Sequence, residues 1–473
     1  MTEPKRLHVA FFPWLAFGHM IPFLELAKRI AQKGHKISFL STPRNIQRLP
    51  KIPPNLSSNI NFISLPLPQV DNLPPDAEAT IDLPFDKIRY LRMAYDSLKD
   101  PLVQFLETST PNWVIYDCFP YWLPPILADL GISSAFFSIF GGWTLTFWAS
   151  PSLAMIDGDD SRFHPEDFTV PPKWIPFPSK VAYRLHEAKR IPHRFEVDKS
   201  GIPKHIFRSS VSSVMASSDI IAIRSCFELE ADFLRLVREL HGKPVFPVGL
   251  LPPLTLDGNG DEDDTWLKIR DWLDKQEKGS VVYIAFGSEV DLSQNEFTEL
   301  ALGLELSGLP FFWASRKRND YSAELPDGFE ERVEGRGMFW TSWVPQPRIL
   351  SHESVGGFLT HCGFSSIIDA LYSGRALIML PITFDHGLIA RVFEDKKVGV
   401  EITRDEEDGS YTRDSVADSV KLVMVEEEGK LYRENAKEMS KLFANKELHD
   451  RYIDQFVELL QTHRVGCTES PVF

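Results

Sequence analysis

Residues 343–386 read WVPQPRILSHESVGGFLTHCGFSSIIDALYSGRALIMLPITFDH, and the middle of this stretch decides the fold class. The run GGFLTHCG has the character of a buried strand and ends at Gly363, whereas FSSIIDALYSG has the apolar spacing of a helix. A strand that passes through a glycine into a helix is one βα unit of a parallel sheet. The helix start also predicts an anion site, because its backbone N–H groups point outward and His361, Ser365 and Ser366 add donors.

The same alternation of strand and helix extends outward from this stretch in both directions. Candidate strands of the first half are LHVAFF, KISFLST, NINFISL, WVIYD, SAFFSIF and IIAIRSC; those of the second half are SVVYIAFGS, PFFWASR, GMFWTSWV, GGFLTHCG, ALIMLPI and GVEITR. Helical spacing lies between them, as over 22–33 and 85–107. The sequence therefore predicts an α/β protein with two Rossmann-like domains in tandem.

Composition predicts where the domains meet. The run PPLTLDGNGDEDDT within 252–265 is acidic and rich in turn-forming residues, which is typical of a linker. It separates a first domain over 1–251 from a second over 266–445. The tail beyond 426 is charged and helical, with breaks near Gly429 and around 445–447.

Bulk properties restrict the classes of function. The chain has 473 residues, 43% apolar and 25% charged, which suits two globular domains, and its net charge of −15 disfavours nucleic acid as a partner. It shows neither a secretory signal nor an apolar run of about 18 residues, so we expect a cytoplasmic protein without a membrane span. We also expect a monomer. The scattered Cys118, Cys226, Cys362 and Cys467 lack metal spacing and are expected to be free thiols.

Two residues of the first half lie at strand ends. His19 follows the strand LHVAFF, flanked by Gly18 and by Pro22, which is predicted to open the next helix. Asp117 ends the strand WVIYD, and open α/β sheets place ligands and catalytic groups at such carboxyl ends. Taken alone, each residue also suits a structural role, as a histidine at a turn or an aspartate that caps a helix.

Residues 343–386 resemble the signature segment of plant family 1 UDP-glycosyltransferases, and we call them the signature segment. The match holds at Trp343, Gln346, His352, Gly356, His361, Cys362, Gly363, Ser366, Gly374, Pro381 and Asp385. The resemblance implies the GT-B fold, in which two Rossmann-like domains face each other across a cleft and a C-terminal helix, here within 446–473, crosses back to the first domain. It also implies transfer of a sugar from a UDP-sugar to a small acceptor, with inversion and without a metal or other cofactor.

The turn with Gly18, His19 and Pro22 is similar to the Gly-His-x-x-Pro motif of this family, whose histidine is the general base. By that resemblance, His19 takes the proton of the acceptor hydroxyl as the hydroxyl attacks the anomeric carbon. Asp117 matches the carboxylate that orients the histidine ring and stabilises the imidazolium.

The resemblance also implies roles in the donor site. Trp343 would stack on the uracil, with Val344 and Gln346 at the edge of the base or ribose. By the resemblance, Ser288, His361 and Ser366 would hold the diphosphate, at the helix start that Gly363 and Ser365 also form. Asp369 would meet the ribose hydroxyls in place of a glutamate, and Phe364, Asp385 and His386 would lie at the sugar.

Departures from the family pattern bear on which sugar is transferred. Glucosyl members carry Trp-Asn-Ser where this chain has Phe364, Ser365 and Ser366, and Asp-Gln where it has Asp385 and His386. Loss of the indole N–H and the amide makes the pocket more apolar, and imidazole offers other polar groups than glutamine. These changes favour a 6-deoxy sugar, so we expect UDP-rhamnose as donor, with UDP-glucose and UDP-galactose as alternatives.

Aromatic residues gather at the predicted strand ends of the first half, and the candidate acceptor contacts are Phe17, Phe119, Trp122, Phe140 and Trp143. As a set they predict an apolar acceptor site with few charges, suited to a flavonoid, terpenoid or steroid compound or its glycoside. A dinucleotide-dependent oxidoreductase is disfavoured, because the first turn, PWLAFGHMIP, lacks the G-x-G-x-x-G pattern. A non-catalytic binder of UDP-sugars remains an alternative, which the presence of both His19 and Asp117 disfavours.

Overall fold

The computed structural model describes residues 6–148, 162, 164–191, 206–252, 264–287, 289–315 and 323–462, with only the backbone for 206–210. By the contacts among them, these residues form two compact units. Unit 1 contains the described residues of 1–161, 194–251 and 446–473, and unit 2 contains those of 162–193 and 252–445. Cys467 and the stretch 253–263 of the predicted linker lie outside the described residues.

Each unit is built on one parallel sheet. The strands of unit 1 are β1 (His8–Phe12), β2 (Lys36–Ser41), β3 (Ile60–Ser64), β4 (Trp113–Tyr116), β5 (Ser133–Ser138), β6 (Ile220–Ile223) and β7 (Val245–Pro247), in the order β3-β2-β1-β4-β5-β6-β7. The strands of unit 2 are β8 (Val281–Ala285), β9 (Phe311–Ala314), β10 (Gly337–Trp340), β11 (Val355–Thr360), β12 (Ala376–Met379) and β13 (Gly399–Glu401), in the order β10-β9-β8-β11-β12-β13. Strand order reverses between β1 and β4 in the first sheet and between β8 and β11 in the second, and such switch points are where open α/β sheets bind ligands.

Helices connect the strands, as the alternating pattern predicts. They are α1 (Phe17–Gln32), α2 (Pro43–Arg48), α3 (Ile88–Asp96), α4 (Lys99–Ser109), α5 (Leu123–Asp129), α6 (Gly142–Trp148), α7 (Leu185–Ala188), α8 (Ile206–Ser217), α9 (Phe227–His241), α10 (Asp264–Leu273), α11 (Gln294–Ser307), α12 (Phe329–Arg332), α13 (Gln346–Ser351), α14 (Phe364–Tyr372), α15 (His386–Asp395), α16 (Arg413–Met424), α17 (Lys430–Phe443) and α18 (Lys446–Thr462). Among the described helices, none has the length and apolar character needed to cross a bilayer.

The two-domain α/β fold is confirmed, and every predicted strand segment overlaps an observed strand. Strand β7 was not predicted. Its three residues end at Pro247, which lacks a backbone N–H, and β7 lies at the edge of its sheet, where proline is tolerated.

The start of α1 differs from the prediction. Pro22 was expected to open this helix, but the helix begins at Phe17 and includes Pro22. The N–H groups of His19 and Met20 already donate to the carbonyl of Ala16, at 2.9 and 2.8 Å. The helical turn therefore forms ahead of the proline, and His19 lies in the first turn of α1 instead of the loop before it.

Alternating side chains of β1 face two cores on opposite sides of the first sheet. Val9 and Phe11 pack with residues of α1 and α18, whereas Ala10 and Phe12 pack on the other face. All four are almost completely buried. This packing fixes the carboxyl end of β1, from which the chain runs through Trp14 into α1 and His19.

Candidate functional site

The structure brings His19 and Asp117 together in unit 1. His19 lies in the first turn of α1, and Asp117 directly follows β4, the neighbour of β1 at the switch point. Nδ1 of His19 lies 2.8 Å from Oδ2 of Asp117. The His19 side chain is 14% exposed and that of Asp117 is 1% exposed. The carboxylate is therefore sealed behind the ring, while the histidine reaches the surface of its unit.

Asp117 is held as an anion by its surroundings. Burial alone would raise the pKa of this carboxyl, but the charge and hydrogen bond of His19 and two backbone N–H groups outweigh burial, and the pKa lies below its usual value. Those N–H groups belong to Trp14, at 3.0 Å from Oδ2, and Cys118, at 2.7 Å from Oδ1. Because a carboxylate only accepts hydrogen bonds, Nδ1 of His19 carries the hydrogen and Nε2 is left to accept a proton.

Two of the predicted acceptor residues lie beside this dyad. The ring of Phe140 is 5.6 Å from that of His19 in a T-shaped contact, and the ring of Phe119 is 6.3 Å away. Phe17 shares the first turn of α1 and has the guanidinium of Arg48 over its ring at 5.1 Å. Phe119 and Phe140 therefore lie beside the His19 ring, whereas Phe17 of the same helical turn contacts Arg48.

Trp122 and Trp143 are held by the packing of unit 1. Trp143 has no exposed area, so in this structure its ring is part of the core. The indole N–H of Trp122 donates to Asp96 at 2.9 Å, and Asp96 pairs with Arg92 at 3.0 Å. Arg92 in turn donates to the carbonyl of Phe119 at 2.6 Å. The acceptor side was expected to hold few charges, but this partly buried ion pair holds the turn that carries Phe119.

In unit 2, the predicted βα unit of the signature segment is present. Strand β11 ends at Thr360, and α14 begins at Phe364 with Gly363 as its N-cap. Gly363 has no side chain to cap the helix, and the N-terminus of a helix favours an anion because its first backbone N–H groups point along the axis. Between them, Cys362 has φ of 73°, in the left-handed region that costs energy for a residue with a side chain.

His361 is enclosed by glycines at this switch point. A β-carbon at Gly287 would lie 2.8 Å from its Nε2, and one at Gly363 would lie 2.5 Å away. Burial lowers the pKa of His361 to about 4, against a hydrogen bond with Ala285 that raises it. The ring is therefore neutral at physiological pH and can donate a hydrogen bond without carrying charge. Ser288, predicted to share this site, lies outside the described residues.

The residues predicted at the base and ribose also come together. The amide of Gln346 donates to Asp369 at 2.9 Å and to the hydroxyl of Ser366 at 3.3 Å. Tyr283, which sequence analysis did not identify, donates from its buried hydroxyl to Gln346 at 3.5 Å. Trp343 is 59% exposed, as a ring that stacks on a planar ligand must be in the free protein.

The residues predicted to read the sugar form the start of α15. Asp385 is its N-cap, and His386 is its first residue. The ring of His386 meets that of His361 edge to face, with centroids 4.8 Å apart. Burial and the neighbouring His361 keep the pKa of His386 well below its usual value, so this ring is also neutral. The contact between the two histidines joins the predicted diphosphate and sugar positions.

The arginines in and near the signature segment have other partners. Arg375 donates to the carbonyls of Leu350 and His352, at 2.6 and 3.0 Å. Arg391 pairs with Glu187 and Glu401. Arg348 lies over the ring of Trp266, 5.7 Å from its centroid. A diphosphate at α14 would therefore rely on N–H groups, hydroxyls and His361.

Other predicted positions have structural surroundings. Phe364 is 7% exposed at the start of α14, and Ser365 beside it is partly exposed. His352 bonds to Ser354 at 2.8 Å and Asp274 at 3.1 Å, which is a packing role. Cys118, Cys226 and Cys362 are free and buried. Within the described part of the chain, no group of three or more His, Cys, Asp or Glu residues is suited to hold a metal ion.

Comparison with known proteins identifies the family. The family model described as "UDP-glucoronosyl and UDP-glucosyl transferase" matches residues 208–458. UDP-glycosyltransferase 91A1 of Arabidopsis thaliana is 52% identical over 470 residues, covering 98% of each chain. The chain belongs to this UDP-glycosyltransferase family. It is similar as well to soyasaponin III rhamnosyltransferase of Glycine max, with 42% identity over 98% of this chain and 97% of the relative.

Solved structures of the family support the same fold. Arabidopsis thaliana UGT89C1, crystallised in complex with UDP-L-rhamnose, superposes with a TM-score of 0.71 and 25% identity, covering 97% of this chain and 100% of that one. The fold is therefore the GT-B fold of UDP-glycosyltransferases, and the chain is a transferase that uses a UDP-sugar as co-substrate. The expected plant family membership is confirmed.

Proposed function

We propose that this UDP-glycosyltransferase is an inverting enzyme in which His19 is the general base and Asp117 its supporting carboxylate. The observation that carries the proposal is the 2.8 Å contact between Nδ1 of His19 and Oδ2 of Asp117 at the switch point of the first sheet. As the acceptor oxygen bonds to the anomeric carbon, Nε2 takes its proton and the bond to UDP breaks. Asp117 stabilises the imidazolium that results.

The signature segment would hold the donor. Trp343 stacks on the uracil beside Val344, and Gln346 and Asp369, already bonded to each other, meet the ribose. The diphosphate lies at the start of α14, where backbone N–H groups near Gly363 with Ser365, Ser366 and His361 replace a cation. Ser288 belongs to the same proposed set, which needs no metal.

We favour UDP-rhamnose as the donor, with UDP-glucose and UDP-galactose as the alternatives. At the predicted sugar end, the rings of His361 and His386 meet edge to face, and Phe364 is buried. These side chains make the sugar end more apolar than the glutamine and tryptophan of glucosyl members would. A methyl group in place of a hydroxymethyl group suits such surroundings. The rhamnosyltransferase among the relatives and the UDP-L-rhamnose complex of UGT89C1 support this choice.

The acceptor would be a small apolar specialised metabolite or its glycoside, of flavonoid, terpenoid or steroid type. Phe119 and Phe140 beside His19 offer apolar contacts close to the base, and Phe17 of the same helical turn belongs to the proposed set. The relative named for soyasaponin III supports this class of acceptor. A cytoplasmic location and a monomeric state stay predictions.

A donor competition tests the proposal most directly. Equal UDP-rhamnose, UDP-glucose and UDP-galactose are supplied with one accepted acceptor, the glycoside products are separated by chromatography, and the rhamnoside should lead. His19→Ala should lower turnover by roughly 10²- to 10⁴-fold while leaving UDP affinity unchanged. A preference for glucose refutes the donor assignment, and retained turnover in His19→Ala refutes the base. Measurable UDP binding without release from any donor, over a broad acceptor panel, would instead indicate a non-catalytic binder.

A further inference from the structure

A short segment from the middle of the chain packs beneath the residues proposed to read the sugar. Residues 164–191, which include α7, belong to unit 2, although most of that unit begins only at residue 252. We call residues 381–387, between β12 and α15, the sugar turn, because they contain Asp385 and His386. The contacts between this segment and the sugar turn all lie within unit 2.

The sugar turn has a conformation that its own sequence does not favour. Phe384 has φ of 52°, in the left-handed region that side chains with a β-carbon rarely adopt. The N–H of Thr383 donates to Nδ1 of His386 at 3.3 Å, so the turn also orients the histidine ring. Such a backbone persists only where its surroundings hold it.

Two arginines hold the first half of the sugar turn by its backbone. Arg404 donates to the carbonyl of Pro381 at 2.5 Å, and Arg190, which follows α7, donates to the carbonyl of Ile382 at 3.4 Å. Arg404 also donates to the carbonyl of Gly409 at 2.5 Å, which fixes the guanidinium.

Glu187 of α7 holds the other end. Its carboxylate accepts from the N–H of Arg184 at 2.7 Å and pairs with Arg391 of α15 at 3.3 Å. A β-carbon at Gly387, the residue after His386, would lie 2.5 Å from the same carboxylate. The side chains of Glu187 and Arg391 are 9% and 8% exposed, and Arg391 also pairs with the buried Glu401. The charges are therefore shielded from water, where removing one partner is costly.

We infer that Glu187 is a positioning residue for donor discrimination. By joining α7 to Arg391 and lying against Gly387, its carboxylate fixes the first turn of α15 and with it the ring of His386 over His361. The inference rests on the proposed role of His386 in reading the sugar. Glu187 does not touch the donor and acts only through the sugar turn.

The test compares Glu187→Gln, which keeps the shape but removes the charge, with Glu187→Asp, which keeps the charge. The ratio of kcat/KM between the preferred and the second UDP-sugar should fall about tenfold or more in Glu187→Gln, since small misplacements in a site cost factors of this size. The Kd of UDP should stay within about twofold, because UDP lacks the sugar that His386 is proposed to read and its nucleoside is proposed to rest on Gln346 and Asp369. Glu187→Asp should recover most of the lost discrimination. Lys189→Ala is the matched control on the same segment, since its partner Glu407 is exposed, and should leave the ratio unchanged.

A double variant separates positioning from general damage. In a His386→Gln background, Glu187→Gln should change the donor ratio no further, because its effect passes through the same ring. An unchanged ratio in Glu187→Gln alone, or a parallel loss of UDP affinity, overturns the inference. If His386→Gln itself has no effect on the ratio, the proposed reading of the sugar by His386 fails instead. Gly387→Ala disturbs the same contact from α15 and should also lower the ratio, which keeps the test valid if Glu187→Gln does not fold.

Discussion

At the scale of single residues, the ionised Asp117 determines which nitrogen of His19 can accept a proton. An asparagine of the same shape could present its N–H₂ group to Nδ1, which would move the ring hydrogen to Nε2. Asp117→Asn should therefore lower kcat by about 10³- to 10⁴-fold, as expected when a supporting carboxylate no longer fixes the tautomer. Steady-state turnover and UDP binding by calorimetry measure the two effects, and UDP binding should be unchanged.

Asp219→Asn serves as the control for that substitution. Asp219 is another partly buried carboxylate of unit 1, and it accepts from the N–H of Ser134 at 2.7 Å without contacting the dyad. Asp219→Asn should keep turnover close to that of the unmodified protein. If Asp117→Asn remains as active as this control, Asp117 has no part in orienting His19.

His361 links a single residue to the pH dependence of stability. Its pKa is about 4 in the folded protein and about 6.5 when unfolded, so the unfolded chain binds more protons between these values. The free energy of unfolding should therefore fall as pH drops from about 6.5 to about 4, by on the order of 3 kcal/mol from this residue. Denaturant unfolding measured across this pH range should show that the free energy of unfolding depends less steeply on pH in His361→Gln than in the original protein. A ring that titrates near pH 6.5 by NMR in the folded protein would contradict the expectation.

At the scale of elements, the tight start of β11 explains why the signature segment has a glycine at Gly356. A β-carbon there would lie 2.1 Å from the carbonyl oxygen of Gly279 and 2.9 Å from Cε of Met424. Gly356→Ala should lower the free energy of unfolding by about 1–3 kcal/mol, the usual cost of overpacking. Gly18→Ala is the matched control, because nothing lies within 4 Å of its added carbon and Gly18 is helical. Equal melting temperatures for the two variants would contradict the clash.

Most elements could be predicted from the sequence because their patterns are local. A buried parallel strand is a short run of apolar residues, and β4 and β5 are buried along their whole length. The start of α1 could not be predicted, since Pro22 signals a helix start and the turn before it depends on packing. The region 85–107 was expected to be one helix, but it divides into α3 and α4 around Ser97 and Leu98.

The candidate site was predictable where residues adjoin in sequence or match a family motif. The pairing of His361 with His386 and of Tyr283 with Gln346 was not, because each joins positions on different strands and helices. Glu187 gave no signal either, since a charged residue in a short helix is usually solvated. The relevant information is the packing of elements against each other, which local spacing does not contain.

At the scale of the whole molecule, each unit is built from stretches that are not continuous in the sequence. Residues 164–191 precede the predicted boundary at 251, yet they belong to unit 2, whereas α18 follows unit 2 in the chain and belongs to unit 1. Hydrophobic spacing assigns a segment to a helix but does not specify which sheet the helix covers. Ion pairs such as Lys180 with Asp395 and Arg29 with Asp450 link these segments within their units.

Unit 1 should therefore depend on α18 for its stability. Phe456 is 1% exposed in the core that contains Val9 and Phe11 of β1, and the carbonyl of Leu460 accepts from the indole N–H of Trp113 at 2.8 Å. Phe456→Ala removes a fully buried ring and should cost about 3–5 kcal/mol. Hydrogen exchange should then quicken at the amides of β1 and β4, while those of β8 and β11 in unit 2 keep their protection.

The control for this variant is Leu431→Ala on α17, where the side chain is 44% exposed and its removal should change stability by no more than about 0.5 kcal/mol. If Phe456→Ala leaves exchange in β1 and β4 as slow as in the control, α18 does not stabilise the first sheet. If exchange quickens there and turnover falls while the Kd of UDP is unchanged, the loss of activity comes from loosening of the strands that position His19 and Asp117. Because β1 leads into His19 and β4 into Asp117, α18 would then support the general base through the strands that carry it.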